Sequence, residues 1–164
     1  ADEINSQLDF QQNFFCFNLP SCINLHPESQ QIIGEQDCYG SDLQVISEIL
    51  ELNQIIKDAK SIIIASPIYN YDLNAAAKNL MELTGKSWTN KIVGFICAAG
   101  GEGSYMSVTS YMNSLMLDFR CIIIPRFVYA EGSMFNQGEM TEELKDRIET
   151  LVDFSISLSH SLET

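Results

Sequence analysis

The sequence predicts an α/β domain built on a parallel sheet. Two features carry that expectation. Short apolar runs with strand character alternate with longer segments of helical period, and crossovers of ten or more residues imply right-handed connections between parallel strands. The tightest instance is Ser61 to Gly85, SIIIASPIYNYDLNAAAKNLMELTG, a strand, a polar turn and a helix with no slack between them. At 164 residues the chain is expected to form one domain, 1–164. A chain of that size buries about 70% of its unfolded surface, enough for a core without staples.

The elements follow in order. Ala1 to Leu8 has the look of the last turns of a helix, and no initiator Met precedes it. Phe14 to Leu19 is a strand candidate. Pro20 to Gly40 is polar and punctuated by Pro20, Pro27, Gly34 and Gly40, a loop long enough to expect a functional excursion. Ser41-Asp42-Leu43-Gln44 reads as a capping box opening a helix to about Asp58, apolar at Val45, Ile46, Ile49, Leu50, Leu52, Ile55 and Ile56. Ser61 to Ala65 suits a strand covered on both faces. It is expected to stop near Ser66, because Pro67 has no N–H for a ladder. Asn74 or Asp72 can cap the next helix, Ala75-Ala76-Ala77 favours it, and Gly85 is placed to end it in a left-handed conformation.

Trp88 falls in a short connection before the strand Lys91 to Ala98. Ala99 to Gly103 is a glycine-rich turn, and Ser104 to Leu117 reads as a helix with Tyr105, Val108, Met112, Leu115 and Met116 on one side. Arg120 to Val128 is a strand interrupted by Pro125, so it lies at an edge or bends there. Ala130 to Gly138 is a loop. A closing helix from Glu139 to about His160 points Leu144, Ile148, Leu151, Val152, Ser155 and Leu158 inward.

Composition narrows the function classes. A net charge of −13 with only nine Lys and Arg argues against nucleic acid and against an anionic membrane surface. Five cysteines without a CxxC pair fit a reduced compartment better than a disulfide framework. Cys97 and Cys121, inside predicted strands, read as small hydrophobes. Two histidines make a structural zinc site a poor expectation. There is no run of 18 apolar residues and no signal-peptide pattern at the start, so the cytoplasm is the expected location.

Two turns carry the candidate chemistry. Ligands of open α/β sheets sit at the carboxyl ends of the strands. Ser66-Pro67-Ile68-Tyr69-Asn70-Tyr71-Asp72 occupies such a place and offers flat apolar faces, an amide and a hydroxyl, a mixture suited to a planar heterocycle. The other turn, Gly101-Glu102-Gly103-Ser104-Tyr105-Met106, starts like a dinucleotide fingerprint but ends in Met and follows the third strand, which weighs against that reading. Its backbone amides suit the carbonyl edge of a ring; its plain alternative is a tight turn that needs glycine. Ser104 lacks a nucleophile-elbow context, and Glu102 is a lone carboxylate. A site without an acid, base or nucleophile set points to a cofactor for its chemistry.

Read together, SPIYNYDLNAAAKNLMEL and AAGGEGSYM resemble the NADPH-dependent FMN reductase family, which includes azoreductases and quinone reductases of flavodoxin-like fold. The family's (T/S)PEYN turn and K-N pair match Ser66, Pro67, Tyr69, Asn70, Lys78 and Asn79, with Ala76 and Ala77 as the small residues between, and Ile68 stands where the family has glutamate. Ala99 to Gly103 looks like the glycine-rich segment beside the flavin's pyrimidine edge, and Pro125-Arg126-Phe127-Val128 resembles the last strand. The resemblance covers Ser41 to about Tyr129. It implies a flavodoxin-like three-layer sandwich with strand order 2-1-3-4-5. The family's first strand and its Ser/Thr/Arg-rich phosphate loop have no match here, and both are expected upstream of Ala1.

The resemblance further implies FMN as cofactor, NADPH or NADH as reductant, and a flavin, quinone or azo compound as the small-molecule acceptor. It assigns cofactor binding to Ser66, Pro67, Ile68, Tyr69 and Asn70 on one wall and to Gly100, Gly101, Glu102 and Gly103 on the other, with Tyr69 or Tyr71 near the ring. A homodimer or homotetramer is expected beside the helix Asn74 to Thr84. Two rival readings stay open. A flavodoxin-like electron carrier would suit the acidity, and a flavin-free interaction protein of the same fold would suit the missing phosphate loop.

Overall fold

The computed structural model describes residues 43–162, with side chains from Ile49 onward. The strand expected at Phe14–Leu19, the loop to Gly40 and the Ser41 cap lie outside the described residues. Helix α1 (Leu43–Asp58) leads to strand β1 (Ser61–Tyr69). Lys91 secures that junction, its Nζ donating to the carbonyls of Lys57 and Ala59 at 2.5 Å each. Burial lowers the Lys91 pKa, with the Asp58 carboxylate pulling the other way.

β1 runs past Pro67 instead of stopping at Ser66, and pairs in parallel with β3 (Ile92–Ala99) from Ser61↔Ile92 to Pro67↔Ala98. Over this stretch β1 has a strand partner on one side only among the described residues, the edge setting in which a strand accommodates proline. Nor is β1 covered evenly on both faces. Ile64, Ser66 and Ile68 are buried, whereas Ala65 between them is exposed.

β1 turns back through Asn70-Tyr71 into the short antiparallel strand β2 (Asp72–Leu73), with Tyr69 paired to Asp72. Helix α2 (Ala75–Thr84) follows. Asn74 is its cap, accepting the Ala77 N–H at 2.8 Å. Gly85 closes it at φ 42°, ψ −118°, positive as expected but in a region open to glycine alone. A 3₁₀ turn, Gly85–Trp88, then buries Trp88 completely. The indole N–H donates to Thr84 Oγ1 at 2.7 Å, and the Trp88 carbonyl accepts the Cys121 thiol.

After β3, the helix expected from Ser104 is a 3₁₀ segment, Glu102–Val108, followed by α3 (Thr109–Phe119), which ends at Arg120 in the left-handed region. The strand containing Pro125 divides into β4 (Ile122–Ile123) and β5 (Val128–Glu131), both parallel to β3 on the side away from β1. Ile123 to Val128 takes five steps where their partners Val93 to Ile96 take three, so two extra residues bulge around Pro125. The proline therefore marks both a bend and, among the described strands, an edge. The expected loop 130–138 instead holds a 3₁₀ turn and a small hairpin, β6 (Phe135–Asn136) and β7 (Glu139–Met140). The last helix, α4 (Glu142–Ser161), starts later than expected because Thr141 caps it.

Strand alternation divides the core. Ile92, Ile124, Val128 and Ala130 pack with Leu144 and Leu151 of α4 on one face. The contact is close at Gly94, where a Cβ would stand 3.1 Å from Leu151 Cδ1. On the opposite face Phe95 meets Tyr111 of α3 edge-on, and the Tyr111 hydroxyl donates to the Ala77 carbonyl of α2 at 2.8 Å. The result is a three-layer α/β arrangement with a mostly parallel sheet. β1, β3 and the β4–β5 strand stand in the order expected for the last three strands of the flavodoxin-like sheet.

Candidate functional site

Because β1 and β3 pair up to Pro67↔Ala98, their carboxyl ends are level and the turns that leave them lie side by side. The contacts are specific. The Tyr71 hydroxyl lies 4.0 Å from where a Gly103 Cβ would stand. Ser110 Oγ donates to Asp72 Oδ1 at 3.1 Å, and Asp72 Oδ1 also accepts the Leu73 N–H. The two stretches that the sequence pairs are thus brought together by strand register.

Not every predicted residue faces outward. Ser66 is buried, and its hydroxyl donates to the neighbouring Pro67 carbonyl at 3.2 Å. Ile68 is buried as well, so the side chain standing in the glutamate's place points into the core and leaves only its backbone for a ligand. Pro67 is half-buried. Tyr69 and Tyr71 are exposed, at 62% and 73%, with Asn70 exposed between them. Asn70 and Tyr71 have φ of 52° and 62°, the paired positive angles of a two-residue type I′ hairpin turn. Asparagine accepts this region; a tyrosine there is strained.

On the second turn Gly100, Gly101, Glu102 and Gly103 are all exposed. A Cβ on Gly100 or Gly101 would meet nothing within 4 Å, and neither residue lies in the left-handed region. Neither packing within the described chain nor backbone angle requires glycine at these positions. What bare backbone does provide is close approach from outside. Gly101 itself is extended, and no side chain caps the 3₁₀ segment after it. The sequence reading missed an aromatic group behind this turn. Tyr105 stacks on Phe127 (4.8 Å, 28°) and meets Tyr129 edge-on (5.5 Å, 64°), while the Tyr129 hydroxyl donates to the Gly101 carbonyl. No local motif marks Tyr129, because its partner turn follows another strand.

Among the described residues, the thiol nearest these turns is not activated. Cys97, in β3 beside Ser66, is buried, and burial pushes its thiol up to about 12, so it is protonated at neutral pH. Among the described residues no three His, Cys, Asp or Glu side chains are grouped to hold a metal ion, and no helix is long and apolar enough to cross a membrane. Flat aromatic faces on one turn and bare amides on the other fit a planar, hydrogen-bonding ring such as the flavin of FMN.

Residues 23–135 match the family described as NADPH-dependent FMN reductase. The chain is 25% identical over 133 residues to an NAD(P)H-dependent FAD/FMN reductase of Geobacillus thermodenitrificans, covering 79% of this chain and 69% of that one. It is 23% identical over 108 residues to an NADPH azoreductase of Bacillus sp. strain OY1-2, covering 65% of this chain and 61% of that one, less than two thirds of that relative. Among solved structures, an NADH:FMN oxidoreductase (EMOB) in its apo form superimposes with a TM-score of 0.61 at 13% identity, over 83% of this chain and 68% of the other. FerB, a flavoenzyme NAD(P)H:(acceptor) oxidoreductase of Paracoccus denitrificans, does so with a TM-score of 0.55 at 20% identity, over 80% and 77%.

Proposed function

The chain belongs to the NADPH-dependent FMN reductase family, and from that premise we propose that it is an oxidoreductase that binds FMN across the carboxyl ends of β1 and β3. In this reading it takes electrons from NADPH or NADH and delivers them to a flavin, quinone or azo acceptor. The observation that carries the site is the adjacency of the two turns, with Gly100 and Gly101 bare where no described neighbour and no backbone angle demands it.

Bound FMN supplies the two-electron redox chemistry. The chain's residues bind and orient it. Backbone groups of Pro67 to Asn70 line one side of the ring and its ribityl chain, with Ser66 and Ile68 acting from beneath as packing. Tyr69 or Tyr71 covers part of a ring face. The amides of Gly100 to Gly103 would hold the pyrimidine edge, where N–H dipoles would favour a negatively charged ring. The two curated relatives, a FAD/FMN reductase and an azoreductase, support a flavin or an azo compound as acceptor, in keeping with an open, aromatic-rimmed turn. Assembly as a homodimer or homotetramer beside α2 belongs to the same proposal and is read by light scattering.

The test is direct. Purified chain is titrated with FMN, following quenching of flavin fluorescence. NADPH or NADH oxidation is then followed with added FMN, a benzoquinone or an azo dye as acceptor. Saturable quenching and turnover with one acceptor are expected. Binding without turnover for any acceptor would move the protein to the electron carriers; no binding at all would overturn the proposal.

A further inference from the structure

Gly101 is held from an unexpected direction. Strand pairing sets Tyr129 beside Cys97, on the opposite face of the sheet from Val128 and Ala130, which pack against α4. Tyr129 is buried, its ring is braced edge-on by Tyr105, and Tyr105 in turn stacks on Phe127. From that position its hydroxyl donates to the Gly101 carbonyl.

The consequence follows from peptide geometry. No described peptide bond is cis, so the carbonyl of Gly101 and the N–H of Glu102 point in opposite directions across one rigid plane. Drawing the carbonyl toward Tyr129 on β5 turns the Glu102 N–H away from β5. Gly100 and Gly101 carry no side chain to restrict their torsions, and a Cβ at either would meet nothing within 4 Å. Gly101 also caps the 3₁₀ segment, whose first backbone bond its carbonyl accepts, so the Tyr129 hydroxyl is a second hold on the same oxygen and narrows the orientations left to the peptide.

We propose that Tyr129 is a positioning residue for the cofactor: by holding the Gly101 carbonyl it preorganises the Glu102 amide toward the flavin's pyrimidine edge. The inference rests on the FMN reading above. Tyr129 does not touch the flavin; it acts through the peptide.

Tyr129→Phe keeps the braced ring and removes the hydroxyl. FMN dissociation constants are measured by fluorescence quenching for the oxidised cofactor, and the midpoint potential of bound FMN by dye equilibration. The melting temperature of the FMN-free protein is recorded beside them. The expected result is oxidised-FMN affinity weakened about threefold to tenfold, the scale of one hydrogen bond. Reduced FMN should lose more, moving the potential negative, because a prepositioned donor matters most where charge accumulates. A merely structural role would not separate the two redox forms.

A second comparison works even if Tyr129→Phe folds poorly. Glu102→Pro deletes the amide itself at the first position of the 3₁₀ segment, after an extended Gly101 that accepts a following proline. Glu102→Ala is its reference, losing the carboxylate but keeping the N–H. Weaker binding by Glu102→Pro than by Glu102→Ala, with no further loss in the Tyr129→Phe, Glu102→Pro double variant, supports the inference. Equal binding by the two Glu102 variants, or wild-type affinity and potential in Tyr129→Phe, overturns it while leaving the FMN reading intact. Failure of the unaltered chain to bind FMN overturns both.

Discussion

In the proposed site, Tyr71 would set stability against cofactor binding in a single residue. It is 73% exposed, so it buries little, yet its φ of 62° lies where a side chain of that size is strained. A glycine would relax the turn. Tyr71→Gly is expected to raise the stability of FMN-free protein by about 1 kcal/mol in urea titration while weakening FMN binding, since the aromatic wall goes with it. A destabilised variant would mean that the Tyr71 contact with the Gly103 turn outweighs the strain. Nothing in the order of letters marks Tyr71 over Tyr69 as the strained one; the hairpin register decides it. The inward turn of Ser66 and Ile68 was likewise hidden, because the strand continues through a proline that ordinarily stops one.

At the level of elements, the connection between α2 and β3 depends on Trp88 and Thr84. The buried indole N–H reaches Thr84 Oγ1, whose own hydroxyl donates to the Leu80 carbonyl at 2.6 Å. Thr84→Val keeps the volume and orphans that N–H, so a loss of about 1–3 kcal/mol is expected. The chain has a single tryptophan, and its fluorescence reports the unfolding midpoint without ambiguity. The divided strand is the other instructive element. Pro125 was readable as an interruption, but the size of the bulge comes from how β3 and β5 align. That alignment places Tyr129 level with Cys97 and so within reach of the glycine turn.

The whole molecule should respond to pH and to cofactor. Burial pushes the Cys97 thiol from 9.0 to about 12 and raises the Tyr111 phenol well above 10.0, where the nearby Cys121 and Glu82 charges add to the effect. The folded state keeps protons that the unfolded chain releases, so this stabilisation is complete below pH 9 and is lost as pH rises toward 12. Lys91, whose pKa is lowered, has the opposite sign just below 10.5 and contributes no further slope above it. Urea midpoints measured from pH 8 to 11 should therefore fall on the alkaline side, and mapped alkylation at pH 8 should leave Cys97 unmodified until denaturant is added. A flat profile would show that these groups are more open than their burial implies. FMN at 100 times its dissociation constant should add about 2.7 kcal/mol and raise the melting temperature; an unchanged melting curve would speak against a folded-state site.

The sequence by itself determined the α/β class, the parallel connections, the core-facing positions of α4 and the two turns that carry the family resemblance. Those are local properties: hydrophobic period, breaker residues and short motifs, each legible within about twenty neighbouring letters. Only the tertiary structure decided which residues of those turns face outward, which asparagine or aspartate caps α2, and that Tyr129 holds Gly101. These depend on register between strands distant in the chain, where a shift of one residue turns every side chain to the other face.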